Sequence, residues 1–249
     1  MKFLDFTIAE GTIEEHAKRL LNSINNEKKF VLTLNTLIAD QYLHKPEYRI
    51  ALKKVNYIVP DGFGIVKAIK ILKKRKIDRV PGIELMEYLC KEVSKTNRKV
   101  FFLGSSQESV KRASKELKRK FPALKIAGIH HGYFNESESD RIVKEINESN
   151  PSIIFVAMGV PKQEIWISNH LDELNVSILM GVGGSFDVFA ELTKRAPLWM
   201  REHGLEWLYR ILKNPLRRMK VLFRLIRFAI TVWKFERKRP KNWGGLNDH

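Results

Sequence analysis

Asp61 stands in the run Pro60-Asp61-Gly62-Phe63-Gly64, directly after the apolar segment VNYIVP (55–60). A carboxylate at the end of a strand points to where open α/β sheets bind ligands, and it could act there as a general base toward a substrate hydroxyl. The same residues also suit a plain turn, because Asp-Gly after Pro is common turn chemistry. A second run, MGVPKQEIW (158–166), follows a strongly apolar segment. Pro161 there fits the first turn of a helix whose free N–H groups would face the same crevice and take a phosphate or a nucleotide base. Lys162 adds a cation, and Gln163 an amide that both donates and accepts, as recognition of a uracil edge requires; a capped helix with a solvated polar face is the plainer reading. The third run, GVGGSFD (181–187), has glycines that permit close backbone approach, Gly184 among them, and a Ser185/Asp187 pair at the next helix start.

Several chemistries lack their motifs. GxGxxG does not follow the first strand and GxxxxGK[ST] is absent, which disfavours nicotinamide, flavin and P-loop enzymes. No Asp-x-Asp triplet occurs and no His/Cys cluster has metal-ligand spacing, so no metal or other cofactor is expected. His130 and His131 are adjacent and would point apart on a strand. The single cysteine, Cys90, admits no internal disulfide, and its helix-like surroundings (ELMEYLCKEV) fit a buried thiol in a reducing compartment. The opening MKFLDFTIAEGTIEEH has acidic residues within every short apolar run, so no secretion signal is expected.

The elements that must carry these motifs read as an α/β domain. Short β-branched runs alternate with longer amphipathic stretches from residue 29 to about 190. The strand candidates are KFVLTL (29–34), VNYIVP (55–60), KVFFLG (99–104), LKIAGI (124–129), SIIFVAMG (152–159) and VSILMGVG (176–183), several of them apolar on both faces as buried parallel strands are. Helices are expected between them, over 109–121 behind the SSQE capping signal and over 138–149. The fold class is therefore α/β, with a Rossmann-like, mainly parallel sheet flanked by helices. Its carboxyl-end loops would carry Asn35 and Thr36, Asp61, Gly104 and Ser105, Lys162 and Gln163, and Gly184 to Asp187.

Charge divides the chain. The net charge is +17, and residues 194–241 hold 15 Lys/Arg against 3 Asp/Glu, leaving 30 against 25 elsewhere. A basic excess of this size points to a polyanionic partner: nucleic acid, anionic lipid or a phosphorylated substrate. The expected division is a catalytic domain over 1–194 and a basic helical appendage over 195–249. In RAPLWMREHGLEWLYRILKNPLRR (195–218), Arg195, Arg210 and Arg217 are interleaved with Trp199, Trp207 and Tyr209, a mixture suited to gripping phosphates. Beyond it, Arg217, Lys220, Arg224, Arg227, Thr231 and Lys234 fall at spacings of 3 and 4, on an arc roughly 100° wide around a helix. The rest of the circumference is apolar, from Leu216 to Phe235, with Arg218 the exception. Six cations make a membrane span improbable. A helix lying in the interface of an anionic membrane fits better, and burial against the core or in a homo-oligomer interface is the alternative. A nucleic-acid-binding protein, or a non-catalytic protein recruiting an assembly to the membrane, is the competing functional reading; the broad apolar face argues against nucleic acid.

Taken in order, Thr33-Leu34-Asn35, PDGFG (60–64), RVPG (79–82), FFLG (101–104), GYF (132–134), GVPKQE (159–164), GVGGSFD (181–187), RAPLW (195–199) and GLEWLYRILKNPLRR (204–218) resemble the WecG/TagA/CpsF family of bacterial glycosyltransferases. The resemblance runs from about residue 30 to 218. It implies an inverting transfer of an N-acetylmannosamine-type sugar from a UDP-sugar to an undecaprenyl-pyrophosphate-linked N-acetylglucosamine acceptor, at the cytoplasmic face of the membrane. In that setting Asp61 is the candidate base, and Thr33 and Asn35 would orient substrate hydroxyls. Arg79, Gly104, Lys162, Gln163, Gly184 and Asp187 would line the substrate site, with Arg195, Arg210 and Arg217 supplying charge to the leaving pyrophosphate in place of a metal. The chain departs from the family's pattern at Glu191, where Gly is usual, at Glu84, where Asp is usual, and at Pro81, where Thr precedes Gly82.

Overall fold

A computed structural model of the chain describes the backbone of residues 1–213 and 215–238, and within them all side chains except those of 202, 207, 210, 211, 213, 215–222 and 235–238. The chain opens with a two-stranded antiparallel hairpin, β1 (Lys2–Phe3) and β2 (Phe6–Thr7). Six strands then form one sheet: β3 (Lys29–Leu34), β4 (Tyr57–Pro60), β5 (Lys99–Gly104), β6 (Lys125–His130), β7 (Ile153–Ala157) and β8 (Ile178–Gly181). Every pairing in it is parallel, in the order β4-β3-β8-β7-β5-β6. The expected strands are all present: β3 and β5 match their expected bounds, and the ends of the other four move by at most two residues. The hairpin was not anticipated, because strands of two residues are too short to show a period.

Helices fill the connections: α1 (Ile13–Ser23), α2 (Thr36–His44), α3 (Pro46–Leu52), α4 (Phe63–Lys73), α5 (Gly82–Val93), α6 (Gln107–Lys120), α7 (Ser139–Ser149) and α8 (Lys162–His170). After the sheet come α9 (Ser185–Phe189), α10 (Leu198–Glu202), α11 (Glu206–Lys213) and α12 (Pro215–Lys238). Side chains start several of them. Thr12 and Glu15 form a capping box on α1, Ser106 accepts from the Ser109 N–H at 3.1 Å on α6, and Asn35 caps α2.

Two apolar layers sandwich the sheet. One gathers Ile38 and Tyr42 of α2, Ile65 and Ile69 of α4, α7 and α8 against one face; the other gathers α1, α5, α6 and Phe186 of α9 against the opposite face. The adjacent strands β3, β8, β7 and β5 therefore send their following helices to alternate faces, and a crevice opens at their carboxyl ends. Cys90 is fully buried in the second layer, where burial pushes its thiol pKa well above the ordinary range.

Among the described residues, helix α12 divides its apolar side chains between two surfaces. Phe228 and Val232 are buried in the first layer, packed with α2 and α4, whereas Phe223, Ile226, Ile230 and Trp233 face out. On the helical wheel the buried pair lies near 40° and the exposed four centre near 200°, with the cationic arc at about 300° on the flank between them. The single continuous lipid-facing surface expected from the sequence is thus corrected: part of the apolar circumference belongs to the protein core. No described helix is long and apolar enough to cross a membrane.

Candidate active site

The crevice is built from two sets of loops. In the first, β3 and β4 end side by side with Leu34 opposite Pro60, and the Leu34 carbonyl accepts from the N–H groups of Asp61 (3.0 Å) and Gly62 (3.2 Å). The RVPG segment joins them where the Val80 N–H donates to the Pro60 carbonyl at 2.8 Å. Two glycines make this approach possible. A Cβ on Gly62 would lie 3.0 Å from the Asn35 Cα, and one on Gly82 would lie 3.0 Å from the Thr33 Cγ2. Asp61, Asn35, Thr33 and Arg79 are so brought to one end of the sheet from segments up to 46 residues apart.

Each of these side chains has a defined state. Thr33 is 5% exposed and its hydroxyl donates to the Gly181 carbonyl at 3.3 Å, which ties β3 to the second loop set. Asn35 is half-buried; its Oδ1 accepts from the N–H groups of Leu37 (2.9 Å) and Ile38 (3.1 Å), leaving its NH2 group as the donor for a ligand. Asp61 and Arg79 are half-buried, so part of each remains accessible to solvent.

Arg195 enters this set from the C-terminal side, donating to Glu84 at 2.9 Å, and the Arg201 guanidinium lies 3.7 Å from the same Glu84 oxygen. Glu84 sits in the first turn of α5, two residues beyond Gly82. Motif reading noted Glu84 only as a departure, because the arginines it pairs with lie more than 100 residues away. The Arg201 Nε is buried without a hydrogen-bond partner among the described residues. Arg210 and Arg217, the other two expected phosphate ligands, lie outside the described side chains.

The second loop set follows β5, β7 and β8. Gly104 ends β5, the Ser105 N–H donates to the Ala157 carbonyl at 2.8 Å, and Asp187 accepts from the hydroxyls of Ser105 (2.5 Å) and Ser109 (2.6 Å). Gln163 is 2% exposed. Its Oε1 accepts from the N–H groups of Gly159 (3.2 Å) and Gly183 (3.0 Å), and its NH2 donates to Glu164 Oε1 at 2.6 Å. This geometry differs from the expectation that Gln163 reads a base edge: its amide carbonyl is committed to joining two glycine loops. Asp187 likewise braces one loop against α6. What these residues hold in place is backbone bordering open space, since a Cβ at Gly183 or Gly184 would meet nothing within 4 Å. Lys162 is exposed at the head of α8.

Glu164 completes the brace. Burial raises its carboxyl to about 7. Among the described residues its Oε2 has no hydrogen bond of good geometry, although the Tyr48 hydroxyl, which also has none, lies close enough to interact with it.

The histidine pair departs from expectation. His131 lies past the end of β6, so the rings meet with centroids 4.6 Å apart, and His130 Nδ1 lies 2.8 Å from the His131 carbonyl. Tertiary structure also gathers three potential ligand side chains that no sequence spacing showed: those of Asp140, His170 and Glu173 approach within 4.8 Å of one another. His170 and Glu173 already share a hydrogen bond of 3.2 Å.

A doubly wound α/β sheet with polar and glycine-rich loops at the carboxyl ends of its strands has the crevice in which such sheets bind ligands. The comparisons with known proteins make this specific. The sequence profile of the glycosyl transferase WecG/TagA/CpsF family matches residues 1–242, and the chain belongs to that family of glycosyltransferases. The match extends beyond the motif-bearing stretch to take in the hairpin and the whole of α12. Among its relatives is the N-acetylglucosaminyldiphosphoundecaprenol N-acetyl-beta-D-mannosaminyltransferase of Staphylococcus aureus strain MW2, 37% identical over 227 residues, covering 91% of this chain and 87% of the relative. The protein of the same name from strain NCTC 8325 / PS 47 is also 37% identical over the same coverage, and that from strain MRSA252 is 36% identical.

Proposed function

We propose that the chain transfers an N-acetylmannosamine-type sugar from a UDP donor to an undecaprenyl-pyrophosphate-linked N-acetylglucosamine acceptor, with inversion, in the synthesis of a cell-surface polysaccharide or teichoic acid. The names of its relatives support the acceptor and the sugar. The observation that carries the chemistry is the convergence of Asp61, Thr33 and Asn35 at the adjoining ends of β3 and β4.

In an inverting displacement one base takes the acceptor proton as that oxygen attacks the anomeric carbon opposite the departing UDP. Asp61 is that base. It is half-buried at a strand end, where it keeps access to a bound hydroxyl. The free NH2 of Asn35 orients a sugar oxygen beside it, and Thr33 keeps β3 in register with the glycine loop after β8. The open backbone at Gly183 and Gly184, braced by Gln163 and Asp187, receives the donor nucleotide, with Gly104 closing the floor and exposed Lys162 and half-buried Arg79 at the rim. Charge developing on the pyrophosphate is met by cations of the appendage, Arg195 first, held by Glu84. The reaction is proposed to need no metal, because the chain has no Asp-x-Asp triplet to hold one against a diphosphate.

The protein works peripherally on the inner face of the cell membrane, where the lipid-linked acceptor lies. A screen of UDP-sugars against a short-chain lipid-pyrophosphate-N-acetylglucosamine acceptor, with product mass as readout, tests the assignment. UDP-N-acetylmannosamine is expected to give the disaccharide product; turnover of a different UDP-hexose alone would reassign the donor. Asp61→Asn is expected to lower the transfer rate by about 10²- to 10⁴-fold with an unchanged melting temperature. Near-normal transfer by that variant would remove Asp61 from the role of base.

A further inference from the structure

We infer that the cleft between the end of α2 and helix α12 is a binding site for the phosphate of an anionic phospholipid headgroup. The inference rests on the membrane-surface reading proposed above and assigns it a specific seat. The cleft has a volume of about 380 Å³ and is lined by Gln41, His44, Lys45, Phe223, Arg224 and Arg227. Five of the six carry nitrogen donors, and three are permanent cations.

The cleft is preorganised by a charge beneath it. Asp40 is 1% exposed, and Arg227 forks onto its two oxygens at 2.9 and 2.5 Å, while His44 Nδ1 lies 2.8 Å from the Asp40 carbonyl. That bidentate pair fixes the guanidinium at the wall, and the hydrogen bond to Asp40 raises the already high pKa of Arg227. Asp40 neutralises only one cation. Arg224 has no ion pair among the described residues, and Lys45 has only exposed Glu47, 3.8 Å away. The local balance remains positive, and the cleft has ample room for a phosphate group.

The second observation separates a lipid from a soluble anion. Phe223 is 67% exposed and forms part of the cleft, and Ile226, Ile230 and Trp233 continue outward along the same helix. A free phosphate gains nothing from four exposed apolar side chains beside its site. A headgroup at the membrane surface seats its phosphate in the cleft while these four enter the acyl boundary, where each buried apolar group adds affinity. The cations flank the apolar strip by about 100° on the helix, the arrangement a helix lying in the interface requires.

Vesicle flotation of the full chain tests this, comparing phosphatidylcholine alone with a mixture containing about one-third phosphatidylglycerol. The parent is expected to partition onto the anionic vesicles. The pair Lys45→Gln/Arg224→Gln is expected to weaken that partition at least about tenfold, and a remote pair of equal charge loss on α6, Lys111→Gln/Lys115→Gln, to change it by less than about threefold. Millimolar inorganic phosphate is expected to leave the bound fraction unchanged. Equal losses from the two pairs would overturn the site in favour of bulk charge, displacement by inorganic phosphate would overturn it in favour of a soluble anion, and failure of the parent to float would overturn it together with the membrane reading. Transfer to a short-chain soluble acceptor, measured in parallel, is expected to be unchanged in the Lys45/Arg224 variant. Its absence in the parent would count against the proposed reaction without touching the flotation result.

Discussion

Glu191 shows how one backbone angle can explain a departure from a family pattern. Its φ is +57°, the left-handed region, and the position is exposed, so the glycine usual there relieves strain instead of lining a pocket. A left-handed non-glycine residue costs about 1–2 kcal/mol, part of which glycine returns in unfolded-state entropy. Glu191→Gly is therefore expected to raise the melting temperature by a few degrees without changing donor choice; a change of donor sugar would place the side chain at the substrate after all. Glu164 is a residue whose state depends on pH. Its folded pKa of about 7 stands above its ordinary value of 4.5, so between those values the folded protein holds a proton that the unfolded chain has released. Stability from this group is present below pH 4.5 and is lost as pH rises through 7. Glu164→Gln keeps the acceptor for Gln163 and removes the titration. Thermal melts at pH 5 and pH 8 are expected to differ less for the variant than for the parent.

At the scale of elements, α2 links the candidate site to the appendage. Asn35 caps its first turn at the crevice, and Asp40, in its middle, holds Arg227 of α12. Removing one partner strands the other: Arg227→Gln leaves the buried Asp40 carboxylate with only the His44 ring, 3.4 Å away, beside it, which is expected to cost about 2 kcal/mol in urea unfolding. Asp40→Asn added to it is expected to recover part of that loss, so the double-mutant cycle reads a coupling energy. Additive losses would mean that the pair does not hold α12. The elements themselves were legible where their period was strong. The six parallel strands are runs of buried apolar residues, and α6 and α7 carry amphipathic faces behind capping residues. The hairpin was hidden by its length, and the direction of α12 was hidden because its apolar residues serve two surfaces at once.

For the molecule as a whole, the appendage is tied into the α/β body. Phe228 and Val232 belong to the same apolar layer as β3, α2 and α4, and Arg195 is held by Glu84 at the head of α5. A chain ending at Lys194 loses these contacts together with the cations proposed for the leaving group and the membrane. It is expected to lose vesicle binding and most of its transfer activity at once, read by flotation and product mass. Full turnover by the shortened chain would show that the body supplies its own partner for the pyrophosphate.

The chain's own order of residues determined the class of the sheet, the loops that end it and the family, because apolar period, turn chemistry and motif identity are local properties of adjacent residues. It also named Asp61, Thr33, Asn35 and Arg195 as candidates, which the fold brings to one end of the sheet. Only the tertiary structure decided what each side chain faces. The Gln163 amide carbonyl joins Gly159 to Gly183, Glu84 is the partner of two arginines, and α12 is turned so that Arg227 meets a buried carboxylate 187 positions away. Those outcomes depend on which long-range neighbours satisfy each buried polar group, and a helical wheel or a motif carries no information about partners so distant in sequence.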